Sequence, residues 1–294
     1  MPPYGLRFRT VYQGVSPSWL YIFLIIQFVC IGSLVIEELG TFRIGFRITT
    51  FLSSLLMMSA LLVPAAPYVK QYPGRTIGII FLLFLSMGMV HPQLNSPLAG
   101  LAHVALNLAI WAPLFWMPRI AIDITVLRRV VLLIWAFNTM SAGMGVLQVY
   151  YPERFMPDPR FLRQLVGDDV SESMKIQLDN GQQLYRPMGL SDTPGGAGNA
   201  GMVAFVTGLG LAVTDRRILL RVFGTAGASL GIFCVYISQV RAAVVVAILD
   251  LIVFLGIMAF RGKVDRAAGL VLIAGLIIAG SFSWVMSLGS EAVG

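Results

Sequence analysis

Apolar runs long enough to cross a bilayer recur along almost the whole of this 294-residue chain. They occupy positions 19–36, 48–69, 76–90, 98–117, 130–149, 200–214, 218–237, 242–260 and 267–288, and short charged clusters separate most of them. In hydrocarbon every backbone N–H and C=O must find its partner inside the protein, so runs of this length fold as spanning helices. A transmembrane β-barrel would instead show segments of about ten residues alternating apolar and polar, a pattern this sequence lacks. Charged residues make up only 12% of the chain, against about 25% in a soluble domain. The expected fold is therefore all-α: a polytopic transmembrane helical protein of about nine spans.

The charges indicate how such a bundle is oriented. The N-terminus and the loops on its side hold thirteen Lys and Arg: Arg7, Arg9, Lys70, Arg75, Arg119, Arg128, Arg129, Arg216, Arg217, Arg221, Arg261, Lys263 and Arg266. The opposite short loops hold three, Arg43, Arg47 and Arg241. Positive residues stay in the cytoplasm, so the N-terminus is expected inside. A net charge of +7 distributed in this way is explained by topology and anionic membrane lipids rather than by nucleic acid. Three regions follow: an N-terminal five-span bundle over 1–149, an extracytoplasmic loop over 150–198 and a four-span segment over 199–294. The long loop has seven acids and five bases. That near balance excludes a polybasic lipid patch, and its length marks it as functional or disordered. Residues 161–166 read as a short amphipathic helix on the membrane.

Few residues carry recognisable chemistry. Arg186 stands beside Tyr185 just before the chain re-enters the membrane. A guanidinium offers five fixed donors suited to phosphate, although lipid headgroups are an alternative partner. Arg241 is the only charge between the seventh and eighth runs, on the side that positive residues avoid, and near hydrocarbon it must snorkel or be paired. Gly195, Gly196 and Gly198 either let the backbone approach an anion at a helix start or simply form a flexible lead into the sixth span. Asp250, near the middle of the eighth span, is either a functional intramembrane acid or a structural one bonded to a neighbouring helix. Gln27, Asn107 and Asn138 are expected to bond between helices, and Gly227 and Gly231 to allow close helix packing. His91 and His103 read as a solvated and a packed histidine, with His91 able to act as a base. Cys30 and Cys234 lie inside apolar runs and read as packing residues. No CxxC or Cys/His cluster occurs, so a structural zinc site is not expected, and no cofactor is expected.

Two segments resemble the O-antigen ligase and polymerase superfamily of bacterial glycan-assembly proteins. Arg186-Pro187-Met188-Gly189-Leu190, followed by a Pro-Gly-Asn stretch and a span, resembles that family's Arg-x-x-Gly segment at the end of a periplasmic loop. Ser238-Gln239-Val240-Arg241-Ala242-Ala243 resembles its short Ser-Arg-Gly/Ala segment between two later spans, except that Gln239 and Val240 separate the Ser from the Arg. The resemblance covers roughly 185–288. It implies a metal-independent glycosyltransferase of the bacterial inner membrane. Such a protein moves a glycan from an undecaprenyl-pyrophosphate carrier to a lipid, protein or growing-glycan acceptor. By this resemblance Arg186 and Arg241 are the catalytic residues, and Tyr185, Gly189, Asn199 and Ser238 contact substrate. It also implies that the chain lacks the C-terminal part of such proteins, where a second large loop carries a histidine. A multi-span transporter and a non-catalytic member of the same family are the competing readings.

Overall fold

The computed structural model describes residues 15–62, 73–88, 96–157, 175–177 and 183–262, together with isolated positions between 265 and 279. The ninth apolar run, His91, residues 161–166 and the N-terminal arginines fall outside the described residues or largely so. Among the described residues five helices are long and apolar enough to cross a membrane, or six if one bent pair is a single span. The protein is thus an all-α, multi-pass membrane protein, and among the described residues the only strands form one two-stranded hairpin. It divides into two compact units, 1–30 with 44–128 and 31–43 with 129–294.

The first unit contains most of α1 (Ser18–Ser33) and α2 (Arg43–Leu62), and all of α3 (Pro73–Met87), α4 (Pro97–Trp111) and the one-turn α5 (Pro113–Trp116). α1 and α3 are shorter than a full span. Ser96 caps α4 by accepting from Ala99 N. The fourth apolar run bends by 43° between α4 and α5. Pro113 explains the bend, because a proline cannot donate to the carbonyl four residues back and its ring collides with it. That carbonyl belongs to Ala109, and Ser54 of α2 donates to it at 2.7 Å. The backbone group freed by the kink is thus satisfied by a neighbouring helix. Arg119 does the same service for α2, donating to the Leu61 carbonyl in its last turn. Gln27 donates across to Thr50 O and Ser53 Oγ, the interhelical bonding expected of it.

Two polar residues behave otherwise. Asn107 donates to the carbonyl of His103 and Asn138 to that of Ile134, each within its own helix. Their side chains are short enough to turn back on the preceding turn, and among the described residues neither bridges helices. Positions 37–47, expected as a loop, are instead a 3-10 turn (Glu37–Phe42) running straight into α2 at Arg43.

The second unit contains most of α6 (Ile124–Tyr150), a short α7 (Pro152–Phe155), strands β1 (Lys175–Gln177) and β2 (Gln183–Tyr185), and helices α8 (Gly196–Thr214), α9 (Ile218–Ser238) and α10 (Arg241–Phe260). Asp123 opens α6 by accepting from Val126 N at 2.7 Å, an N-cap of the usual kind. α8 and α9 run antiparallel with their backbones nearly touching. A Cβ placed on Gly231 would lie 2.5 Å from the Gly201 carbonyl oxygen, and one on Gly224 would lie 2.8 Å from that of Gly208. Small residues allow this approach, and dispersion across it holds helices together where the hydrophobic effect is weak. Gly227 turns the other way, toward the ring of Trp135 on α6. The two glycines of the expected GxxxG pair therefore serve two different helix contacts. Phe205, Leu209, Ala228 and Ala247 form the buried cluster joining α8, α9 and α10.

Candidate functional site

At one end of this second unit the chain between β2 and α8 folds into a tightly bonded loop. Its anchor is Gln148, fully buried near the C-terminus of α6. The Gln148 carboxamide oxygen accepts from Met188 N at 2.8 Å and Gly189 N at 2.9 Å, and its nitrogen donates to Gly189 O at 3.1 Å. Two turns earlier on the same helix face, the Ser141 hydroxyl accepts from Leu190 N at 3.0 Å. The carbonyl of Pro187 then closes the loop by accepting from Gly195 N and Ala197 N. Asp192 meets the buried Arg43 in an ion pair of 2.8 Å.

Glycine is required at two points of this loop. Gly189 has φ +67°, and a Cβ there would lie 2.6 Å from the Ser141 carbonyl oxygen. Gly198, in the first turn of α8, would bring a Cβ to 2.5 Å from Ser238 Oγ and 3.2 Å from Val240 Cβ. The Gly195–Gly198 turn is therefore a packed joint, neither a flexible lead into the span nor a backbone left open for a ligand.

This joint brings the two arginine segments together. A Cβ on Gly195 would sit 3.1 Å from Val240 Cγ2 and 4.0 Å from the Cδ of Arg186. The stem of Arg186 and the side chain of Val240 thus both border Gly195, and the residue after Val240 is Arg241. Arg186 is half-buried, and its Nε is buried with no hydrogen-bond partner among the described residues. Arg241 is exposed at the first position of α10. α10 starts at the same contact, and its N-terminus adds partial positive charge, whereas the first-turn N–H groups of α8 are already bonded, Gly196 N to Thr193 O, Ala197 N to Pro187 O and Gly198 N to Gly195 O. The segments that bear Arg186 and Arg241 thus meet at one rim, together with the N-terminus of α10, a combination of charges that favours an anion.

The remaining candidate residues are in different states. Tyr185 is buried against Met188 and Met156, with Lys175 Nζ 5.8 Å above its ring, and its hydroxyl has no partner among the described residues. Ser238 is fully buried, and its hydroxyl donates to the Val235 carbonyl of its own helix. In this conformation Ser238 is a packing residue facing Gly198. Asn199 is exposed on α8. Gly189 is buried and shapes the loop. Asp250 is half-buried on α10 and makes no hydrogen bond to a neighbouring helix among the described residues. His103 lies in the first unit beside Asn107.

Gln148, Ser141 and Gly145 are not legible as site residues from their types. Their spacing does carry a signal, since positions 141, 145 and 148 fall on one helical face. Gly145 completes that face, with a Cβ there colliding with Ala197 Cβ and lying 3.2 Å from Cys234 Sγ. Cys30 and Cys234 are free thiols, and the Cys234 thiol donates to Ala197 O. Among the described residues no group of His, Cys, Asp and Glu could hold a metal ion.

The opposite end of the second unit is strongly basic, with Arg129 early in α6, Arg216 and Arg217 in the turn before α9, and Arg221 and Arg261. α6 and α9 run parallel, as Trp135–Gly227 and Gly145–Cys234 contacts show, and α8 and α10 run parallel in the other direction. Together the fold and the rim define a multi-pass helical membrane protein with a basic joint at one end of its C-terminal helices. No protein-family model, curated protein or solved structure matches the chain.

Proposed function

We propose that this protein is a bacterial inner-membrane glycosyltransferase that transfers or polymerises a glycan from an undecaprenyl-pyrophosphate carrier during cell-surface polysaccharide assembly. The observation that carries this reading is the contact of the Arg186 loop with the Ser238–Arg241 turn across Gly195 and Gly198. In the mechanism we envisage, the two guanidinium groups and the α10 N-terminus hold the pyrophosphate. An acceptor hydroxyl attacks the anomeric carbon from the opposite face. The sugar–phosphate bond breaks, its electron pair stays on the pyrophosphate, and the hydroxyl proton leaves to solvent or a base. Fixed donors aimed at the leaving-group charge are worth several kcal/mol at such a site. The acceptor is a lipid, a protein or a growing glycan.

In this reading the chain has nine spans with its N-terminus in the cytoplasm, and the basic end of the second unit faces the cytoplasm. The rim, with Arg186 and Arg241, then opens on the outer side, where lipid-linked glycans await transfer. Replacing Arg186 or Arg241 by Ala should abolish surface-glycan transfer while leaving the protein level in the membrane unchanged. Normal transfer in both variants would rule the reading out. Asp250, a half-buried acid in the apolar α10, favours the second reading, a transporter of a small anion or lipid. That reading requires Asp250→Asn to stop uptake while the two arginines are dispensable.

A further inference from the structure

Gln239 is the only non-glycine with a positive φ among the described residues, at +51°. It occupies the left-handed position that ends α9, where its N–H donates to Tyr236 O. Glycine, or failing that asparagine, suits this position, because a larger side chain meets its own backbone there. The carboxamide has no local use at this point: the side chain of Gln239 is exposed and makes no hydrogen bond among the described residues. An unfavourable backbone conformation kept for a side chain that does nothing for the fold is a mark of function. The position agrees, since Gln239 lies between Ser238, packed on Gly198, and Val240, packed on Gly195, two residues before Arg241.

We propose that the Gln239 carboxamide reads the sugar of the lipid-linked donor. The inference rests on the glycosyltransferase reading above. The division of labour follows from the chemistry of the groups. Guanidinium and helix N-termini only donate and carry positive charge, so they suit pyrophosphate. A neutral carboxamide both donates and accepts, so it suits a hydroxyl or N-acetyl group on the sugar next to that pyrophosphate. It adds no further charge to a rim that already has two arginines.

The test replaces the native protein, in its own host, with the variants Gln239→Gly, Gln239→Glu and Arg186→Ala in turn. Surface glycan, accumulated lipid-linked donor and thermal stability in detergent are measured for each. Gln239→Gly relieves the left-handed strain, so its stability should equal or exceed the native value. Its transfer should nevertheless fall about tenfold, the equivalent of one hydrogen bond of about 1.4 kcal/mol, with donor accumulating. Gln239→Glu keeps the shape, removes the donor and sets a negative charge beside the pyrophosphate, so it should fall further. Native transfer in both Gln239 variants, with Arg186→Ala inactive, would overturn this inference alone. Native transfer in all three would overturn the glycosyltransferase reading and this inference with it.

Discussion

Gln148→Leu should release the Arg186 loop without unfolding the helices beneath it. Leucine fills much of the same volume but leaves Met188 N, Gly189 N and Gly189 O without the partner that Gln148 gives each of them. A buried backbone group left unsatisfied costs about 1–3 kcal/mol. At the low end for all three, because a loop at the membrane rim can open to water, the local loss is about 3 kcal/mol. That corresponds to roughly a hundredfold rise in the open population of the loop. The α8–α9 contact at Gly201 and Gly231 does not involve Gln148, so the global melting transition should move much less than the loop. Hydrogen–deuterium exchange on purified protein separates the two effects. The reporters are Leu190 N, bonded to Ser141, and Gly195 N and Ala197 N, bonded to Pro187 O. None of them bonds to Gln148, so faster exchange there reports opening of the loop rather than loss of a single bond. Unchanged exchange at all three would refute the claim that Gln148 seats the loop.

Three further outcomes follow from the same structure. Removing either partner of the Arg43–Asp192 pair, whose side chains are 8% and 10% exposed, strands a buried charge and should cost about 3 kcal/mol; exchanging the two residues should recover part of it in a thermal melt. Gly231→Leu should strongly reduce folded yield by forcing α8 and α9 apart at Gly201, whereas Gly256→Ala, with open space around it, should melt like the native protein. Single cysteines placed at Arg217 and at Gln239 in a cysteine-free background should label with a membrane-impermeant maleimide from opposite sides of the membrane, and labelling of both from one side would contradict α9 as a spanning helix.

The last three described helices of the second unit are readable in the sequence to within four residues at either end, whereas α6 starts six residues before its expected run. Runs at 200–214, 218–237 and 242–260 correspond to Gly196–Thr214, Ile218–Ser238 and Arg241–Phe260. Each is an unbroken apolar run bounded by a charge or a glycine turn, and such a run has only one way to satisfy its backbone in lipid. Polar residues within helices are harder to read, because type does not fix partner. Asn138 bonds its own helix, while Gln148, with one more methylene, reaches a loop 40 residues later in the chain. The Arg43–Asp192 pair joins positions 149 residues apart, and nothing local in either segment encodes that meeting. Arg186 and Arg241 stand out from their setting, an isolated charge at the edge of an apolar run. Gly198 and Val240, which bring their segments into contact, look ordinary in sequence.

How firmly that contact is made bears on which chemistry suits it. A transporter of the rocking kind moves one group of helices against another around a central site. Here the loop bearing Arg186 is bonded to α6 through Gln148 and Ser141, and to Arg43 at the start of α2 through Asp192. The start of α8 is in turn packed onto the α9–α10 turn through Gly195 and Gly198. Sliding α8 past α9 would drive the Gly201 and Gly208 backbones into neighbouring side chains, since clearances at those glycines leave no room even for a methyl group. Stabilising a leaving group, by contrast, gains from donors that need no rearrangement as charge develops. The rigidity of the joint thus supports the transferase reading on grounds independent of the arginines' identity, and it makes the arginines' positions, rather than their charge alone, the quantity to perturb. Lysine at position 186 or 241 keeps the charge but loses the planar fork. Transfer by either lysine variant should therefore fall between native and alanine levels, and full activity with lysine would show that charge alone suffices.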